Sequence, residues 1–196
     1  MSQVVQPTGL VHPERRRFFR SAGTAGLSAT AVALLAGCAG AMGRDDGPGM
    51  AATASDIDIL NSAIEGEHNA IAAYQVGAES GLLQKPVLDV AVQFQGHHKR
   101  HVDALIRTVG KLGGTPAAPK AKYEFPVETL KTQADVLRFA AGLEKEAVSA
   151  YLEAVPQFAD RDLAKAAASI LGDEAMHWAV LRQALGQDPV PVAFMS

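Results

Sequence analysis

The chain has 196 residues, a hydrophobic fraction of 48% and a formal net charge of −3 at pH 7. This length and composition suit one folded domain with a sizeable core, and they are not those of a disordered chain. The acidic balance argues against a nucleic-acid partner held through its phosphates. The only cysteine is Cys38, which excludes an internal disulfide.

Residues 1–37 have the features of an export signal. The stretch "RRRFFR" from Arg15 to Arg20 resembles the twin-arginine signal, and a weakly apolar segment follows it. The stretch "LAGC" resembles the lipobox of bacterial lipoproteins, in which the cysteine is lipidated and becomes the new N terminus. These resemblances imply a protein of the cell envelope, exported by the twin-arginine pathway and anchored in the membrane through Cys38. Ordinary cleavage after Ala41 and a cytoplasmic protein with a basic arm are the alternatives.

Four helices are predicted after the signal. Residues 38–55 are expected to be a flexible, Gly-rich linker, and residues 56–196 the folded domain. Ser55 followed by Asp58 fits an N-cap with an acid three residues later. Pro86 suits a first helical turn, Pro156 stops or kinks a helix, and Gly186 suits a helix end. The predicted helices cover residues 56–80, 86–112, 134–155 and 162–185.

The connections between the helices define the topology. Short turns join helix 1 to helix 2 and helix 3 to helix 4, so each pair is expected to be antiparallel. Some twenty residues, 113–132, separate helix 2 from helix 3, which is long for a compact domain. A helix of 25 residues is about 37 Å long at about 1.5 Å per residue, and a crossover along a bundle of that height needs such a connector. The sequence thus predicts an all-α fold, a four-helix bundle of ferritin-like topology with one long crossover.

Polar residues interrupt the apolar stripe of every helix at matching positions. "EHNAIAAY" at 67–74 matches "EKEAVSAY" at 144–151, and "HKRHVDAL" at 98–105 matches "EAMHWAVL" at 174–181. Burying an unpaired carboxylate costs several kcal/mol, which one or two divalent cations would offset. Ordinary pairing of buried side chains is the alternative. The candidate metal ligands are Glu67, His98, His101, Glu144, Glu174 and His177.

At these residues the chain resembles the ferritin-like superfamily, especially exported bacterial ferritin-like proteins related to rubrerythrin and to desiccation-associated proteins. The resemblance covers residues 56–195 and implies one Glu each from helices 1 and 3 and a Glu-x-x-His motif each from helices 2 and 4. The departure is His98, which stands where the pattern has Glu. The resemblance implies two divalent metal ions, iron or manganese, with zinc also compatible with nitrogen ligands. It also implies oxidation of ferrous iron or reduction of oxygen or peroxide.

Several residues near these motifs have other expected roles. Tyr74 and Tyr151 are expected to lie in the core, with hydroxyls that reach a ligand carboxylate. The role of His97 is left open, because His97 and His101 are four residues apart and can also chelate a metal. The side chains expected on the solvated surface are those of Glu65, His68 and Glu146.

Two functions follow from the sequence. The first is a di-metal redox protein of the cell envelope, and the second is a non-catalytic envelope lipoprotein that uses the bundle to bind metal or a partner. The sequence leaves the oligomeric state open, a homodimer included.

Overall fold

The computed structural model describes residues 49–195 and, from residue 53 onward, their side chains. Within this range the chain forms four α-helices and two single 3₁₀ turns, and no strand. The prediction of an all-α four-helix bundle is confirmed. No helix among these residues is long and apolar enough to cross a membrane. The helices are α1 (Gly49–Glu79), α2 (Lys85–Lys111), α3 (Gln133–Ala154) and α4 (Arg161–Ala184).

The start of α1 corrects the sequence analysis. The helix begins at Gly49, so Ser55 lies in its second turn and is not an N-cap. The flexible linker expected over residues 38–55 is therefore helical from Gly49 onward. The sequence between Gly49 and Ser55 is Met-Ala-Ala-Thr-Ala, which contains good helix formers and no residue that ends a helix. The export signal and Cys38 lie outside the described residues.

Side-chain caps fix the starts of α3 and α4. The Thr132 hydroxyl accepts a hydrogen bond from the Asp135 backbone N–H at 3.2 Å, and the Asp135 carboxylate accepts one from the Thr132 N–H at 2.8 Å. This is a complete capping box. Asp160 caps α4 by accepting from the N–H groups of Asp162 and Leu163. These caps place both helix starts within a residue or two of the predicted positions.

The long connector between α2 and α3 runs along the bundle. Near its start, Asn61 of α1 donates to the Thr115 carbonyl at 3.1 Å and accepts from the Ala117 N–H at 2.8 Å. At its other end, Gln133 accepts from the N–H of Gln84, in the turn between α1 and α2. Asn61 lies in the first half of α1, whereas Gln84 follows the end of that helix. The connector thus crosses from one end of the bundle to the other.

A layer of polar side chains divides the interior into two apolar cores. This polar layer consists of Glu67, His98, His101, Glu144, Glu174 and His177. One core surrounds Ile64 and Val109 and includes Tyr151. The other surrounds Phe94 and Trp178 and includes Tyr74. The helix pairs α1–α2 and α3–α4 form the most extensive contacts, and α1 also packs against α3. Residues midway along all four helices therefore face one another in the polar layer.

Candidate metal centre

The six predicted ligands meet in the polar layer between the two cores. Each helix delivers its residues from the middle of its buried face, where a turn of 3.6 residues brings positions three apart to the same side. Five of the six are almost fully buried, and His101 is half-buried. Glu144, His98 and His177 are each 1% exposed, and Glu174 is 0% exposed. The buried part of the bundle thus contains a compact carboxylate–imidazole cluster.

The cluster divides into two overlapping groups with the spacing of metal ligands. In each group, one potential ligand atom from every residue lies within 4.8 Å of the corresponding atoms of the others. His98 and Glu174 belong to both groups. The first group consists of Glu67, His98, His101 and Glu174, and the second of His98, Glu144, Glu174 and His177.

The His98 ring lies between the two glutamates contributed by α1 and α3. Its Nδ1 is 2.8 Å from Glu67 Oε2, and its Nε2 is 3.3 Å from Glu144 Oε1. Its Nδ1 is also 3.6 Å from Glu174 Oε1. The two nitrogens thus face the two ligand groups, Nδ1 towards Glu67 of the first and Nε2 towards Glu144 of the second.

Two tyrosines tie the carboxylates across the bundle. Tyr151 of α3 donates its hydroxyl hydrogen bond to Glu67 of α1 at 2.7 Å. Tyr74 of α1 donates in turn to Glu144 of α3 through a short hydrogen bond. Each tyrosine therefore holds the carboxylate of the opposite helix pair. Burial and the neighbouring carboxylate raise the pKa of both hydroxyls, which keeps them as donors.

Asp173 is a further member of the centre that the sequence analysis did not select. Its Oδ2 lies 3.3 Å from His101 Nε2, 3.4 Å from His177 Nε2 and 3.1 Å from His97 Nδ1. His97 Nδ1 is also 2.8 Å from His177 Nε2. The available signal was the spacing of Asp173 four residues before His177, which places both on one side of α4.

Asp173 orients the two histidines that the sequence assigned to the metal. Their Nε2 atoms face its carboxylate, and their Nδ1 atoms face Glu174, at 3.1 Å for His101 and 3.3 Å for His177. A carboxylate at Nε2 favours a proton on that nitrogen, so Nδ1 is the nitrogen that can bind a cation once it has lost its own proton. His97 lies beside Asp173 at the half-buried outer edge.

The carboxylates of the polar layer raise the pKa values of His98, His101 and His177. Burial lowers the pKa of each ring, but contacts with the surrounding carboxylates outweigh it. The resulting pKa is about 10 for His98, about 11 for His101 and about 9 for His177. Burial lowers the pKa of His97 overall. At neutral pH the three inner imidazoles of the apoprotein are therefore cationic.

The carboxylates respond in two different ways. Burial raises the pKa of Glu67, but His101 and His98 outweigh it and bring the pKa to about 2. His177 and His98 likewise lower the pKa of Glu144 despite its burial. Burial raises the pKa of Glu174. Protonated histidines thus neutralise the charge of the buried carboxylates. From the sequence, burial of the carboxylates was expected to require a metal cation, and the charged histidines remove this requirement.

Unpartnered atoms are a more specific indication of a metal ion. Among the described residues, Glu144 Oε2, both carboxylate oxygens of Glu174, and His177 Nδ1 are buried without a hydrogen bond, although the Glu174 oxygens lie within ion-pair distance of the His101 and His177 rings. All three residues belong to the second ligand group. Buried polar atoms are nearly always satisfied, and an ion is one of the few partners that accounts for an exception. The donor set therefore fits a divalent cation bound by carboxylate oxygens and imidazole nitrogens.

The chain is similar to a known family over most of the helical bundle. The model of the family described as ferritin-like domain matches residues 55–187. The chain belongs to this ferritin-like family. No curated protein matches the chain.

Two solved structures show the same fold. A conserved hypothetical protein from Mycobacterium tuberculosis has 24% identity and a TM-score of 0.63, covering 73% of this chain and 99% of its own. A structure described as ferritin-like, diiron-carboxylate proteins from Bacillus anthracis has 21% identity and a TM-score of 0.59. It covers 68% of this chain and 97% of its own.

The residues expected on the surface of the ferritin-like domain differ from one another. Glu65 and Glu146 are exposed. His68 is half-buried, and its Nε2 is buried without a hydrogen-bond partner. None of these three belongs to a ligand group found among residues 49–195.

Proposed function

We propose that the polar layer binds two divalent metal ions, iron or manganese, and that the protein is a redox protein. The observation that carries this proposal is the convergence of unpartnered buried atoms from Glu144, Glu174 and His177. The ferritin-like family and the likeness to a diiron-carboxylate fold support it.

The two ligand groups define which residues would hold each ion. Glu67 and His101 would serve one ion, and Glu144 and His177 the other. Glu174 would be shared, since its carboxylate has two oxygens and lies in both groups. Imidazole nitrogen in the set also makes zinc a competitor.

Bound iron or manganese would supply electrons to oxygen or peroxide, and in the oxidation of ferrous iron the electrons of Fe²⁺ would pass to that same oxidant. The bundle would control the surroundings of the bound ions. Tyr74 and Tyr151 hold the carboxylates of Glu144 and Glu67, respectively, in position through hydrogen bonds. Asp173 holds His101 and His177 so that Nδ1 faces inward. The apolar cores shield these groups from solvent at the two sides of the layer that face along the bundle axis.

The location of the protein is part of the proposal. Residues 1–37 would direct folded protein to the cell envelope by the twin-arginine pathway, and lipidated Cys38 would anchor it. Folding before export would allow the metal to be loaded in the cytoplasm, where its supply is controlled. Replacing Arg15 and Arg16 by Lys would then leave precursor in the cytoplasm. Cys38→Ala would release a folded domain from the membrane.

The decisive experiment is elemental analysis of protein purified without chelator, followed by titration of the apoprotein with Fe²⁺, Mn²⁺ and Zn²⁺. We expect two ions per chain. A folded protein that binds none of these metals contradicts the proposal.

Redox chemistry is tested separately. Protein loaded with Fe²⁺ under anaerobic conditions is mixed with oxygen or hydrogen peroxide, and consumption of the oxidant is followed. Loaded protein that consumes neither supports the alternative of a non-catalytic metal-binding lipoprotein.

A further inference from the structure

A groove between α1 and α3 leads from the surface to the polar layer. Its volume is about 400 Å³, and both Glu67 and His98 lie on its lining. Small residues recur along both walls, Ala63, Gly66 and Ala70 on α1 and Ala147, Ala150 and Ala154 on α3. Small side chains at this spacing leave room between two helices that would otherwise close over the metal ligands.

Gly66 lies on the exposed part of the groove lining. A Cβ atom built on this glycine meets no atom within 4 Å, although α1 and α3 pack together. Gly66 lies in the interior of α1, where glycine destabilises a helix by about 1 kcal/mol relative to alanine. Helix propensity therefore does not account for Gly66, and its lack of a side chain leaves the groove wide beside Glu67.

The charged groups on the groove select what passes through it. Glu146 and Glu153 line the groove from exposed positions on α3, and Glu67 lines it from a buried position. No lysine or arginine lies on its lining. Carboxylates at an opening attract cations and raise their local concentration. Asn69, Gln157 and Ser62 also line the groove, and their side chains contain amide or hydroxyl oxygens. Oxygen atoms are the ligands that divalent cations such as Mg²⁺ and Ca²⁺ prefer.

A second cavity provides a contrast. It has a volume of about 160 Å³, lies at the other end of the bundle and touches Tyr74. Its lining consists of aliphatic and aromatic residues with no carboxylate, lysine or arginine. A cation entering that cavity would lose its hydration with nothing to replace it. Of these two openings, only the α1–α3 groove offers a cation oxygen ligands along the way.

We infer that the α1–α3 groove is the route by which divalent cations reach Glu67 and His98, with Glu146 and Glu153 collecting them at its mouth. This inference rests on the proposed function, because it assumes that the polar layer binds metal. The route is distinct from the site, so blocking it changes how fast a cation arrives without changing how tightly it is held.

Gly66→Leu tests the route. An added Cβ meets open space at this position of the lining, so a leucine can narrow the groove without displacing atoms around its Cβ. The probe is Co²⁺ added to apoprotein, followed by stopped-flow absorbance of the bound ion and, independently, by fluorescence of Trp178, the only tryptophan. We expect association and dissociation both to slow on the order of tenfold, with the dissociation constant and the stoichiometry unchanged, because a barrier affects both directions equally.

The matched control is Gly142→Leu. Gly142 is an exposed helical glycine of α3 that also has no atom within 4 Å of an added Cβ, but it does not line the groove. This variant is expected to bind Co²⁺ at the rate of the unmodified protein. Ala150→Leu narrows the groove from the opposite wall and is expected to slow binding as Gly66→Leu does. If both groove variants bind Co²⁺ at the unmodified rate, the inference is wrong.

The charge at the mouth is tested by the double variant Glu146→Gln, Glu153→Gln. Association is expected to slow about twofold to fivefold at low ionic strength and to match the unmodified protein at high salt, where exposed charges are screened. An unchanged rate at low salt overturns the assignment of a cation as the occupant. These failures differ from failure of the proposed function, in which the unmodified protein binds no Co²⁺ at all.

Discussion

Helices α2 and α4 present the same three positions to the polar layer, but they fill two of them with opposite chemistry. In α2 these positions hold His97, His98 and His101, and in α4 they hold Asp173, Glu174 and His177. Equivalent residues meet across the bundle, since His97 is 3.1 Å from Asp173 and His98 is 3.6 Å from Glu174. At neutral pH α2 therefore supplies the cationic rings of His98 and His101, whereas α4 supplies two carboxyl groups and one cationic ring, His177.

This difference explains how the layer can be buried and still bind metal. Two identical acidic repeats would place like charges face to face, whereas an imidazole repeat opposite a carboxylate repeat balances the charge of the apoprotein. A metal ion must then displace protons from the imidazoles to reach their nitrogens. The comparison predicts that proton release and metal binding are tightly coupled.

The largest expected effect is that of pH on metal affinity. His98, His101 and His177 have raised pKa values of about 10, 11 and 9, so all three carry protons at pH 7. Release of three protons raises the association constant by up to about a thousandfold per pH unit. Calorimetry of Mn²⁺ binding in two buffers with different ionisation enthalpies measures the number released.

The same pKa values set the stability of the apoprotein. Raised histidine pKa values contribute stability that is fully present below the ordinary value of 6.5 and is lost as the pH rises through 9 to 11. The lowered pKa of Glu67, about 2, contributes stability that is lost as the pH falls from 4.5 towards 2. For the calorimetric measurement of proton release on metal binding, His68→Gln is the control, because His68 belongs to neither ligand group. This variant should release the same number of protons as the unmodified protein. Metal binding without proton release would show that the imidazole repeat is not charged.

The next effect comes from the carboxylate repeat. Glu174→Gln keeps the shape of the only carboxylate present in both ligand groups and removes its charge. Orienting partners of metal ligands contribute about 10–100-fold to affinity, so we expect a loss of more than about 100-fold for both ions. Equilibrium dialysis with Mn²⁺ measures this loss, and exposed Glu65→Gln is the control. Retention of both ions at full affinity would exclude Glu174 as the shared ligand.

Helices α1 and α3, unlike α2 and α4, supply the same residue types to the polar layer. Each supplies one glutamate and one tyrosine, and each tyrosine donates to the glutamate of the other helix. Tyr74→Phe and Tyr151→Phe each leave a buried carboxylate without its hydroxyl donor. We expect each to lower the free energy of unfolding by about 1.5–3 kcal/mol, the usual contribution of a hydrogen bond to a charged group. Urea denaturation of the apoprotein measures the change.

Tyr123→Phe is the control for this pair, since Tyr123 lies in the connector and accepts from the Lys120 N–H. It should change stability by less than about 0.5 kcal/mol. A loss confined to one of the two core variants would contradict the equivalence of the crossed hydrogen bonds.

The smallest effect follows from making the repeats more alike. His98→Glu places Glu-x-x-His on both α2 and α4, and we expect affinity for the second ion and the rate of ferrous oxidation to rise about tenfold. Metal stoichiometry and stopped-flow absorbance measure the two effects. If both stay unchanged, His98 is not a ligand and His97 becomes the better candidate.

The sequence predicted the bundle because its signals are local. Apolar spacing, Pro86 and Gly186 fix the type and approximate limits of the helices, and connector length fixes the crossover. The start of α1 was wrong because Ser55 can cap a helix but can equally lie inside one when favourable residues precede it.

The details of the centre depend on contacts that no local pattern encodes. The repeat selects the six residues that the structure brings together, but it does not show that each tyrosine reaches the glutamate of the opposite helix pair. Asp173 was missed because it lies at the edge of the buried face of α4, beside the more prominent Glu174. Only the packing of α2 against α4 brings His97 and Asp173 together.

The connector over residues 112–132 has a consequence for assembly. Each ligand group takes three residues from one helical hairpin and one from the other, Glu174 completing the first group and His98 the second. Neither hairpin alone contains a complete group, so an ion bound in the layer would cross-link the two hairpins. The connector keeps these two half-sites on one chain, which raises their effective concentration and makes the assembly of the centre independent of protein concentration.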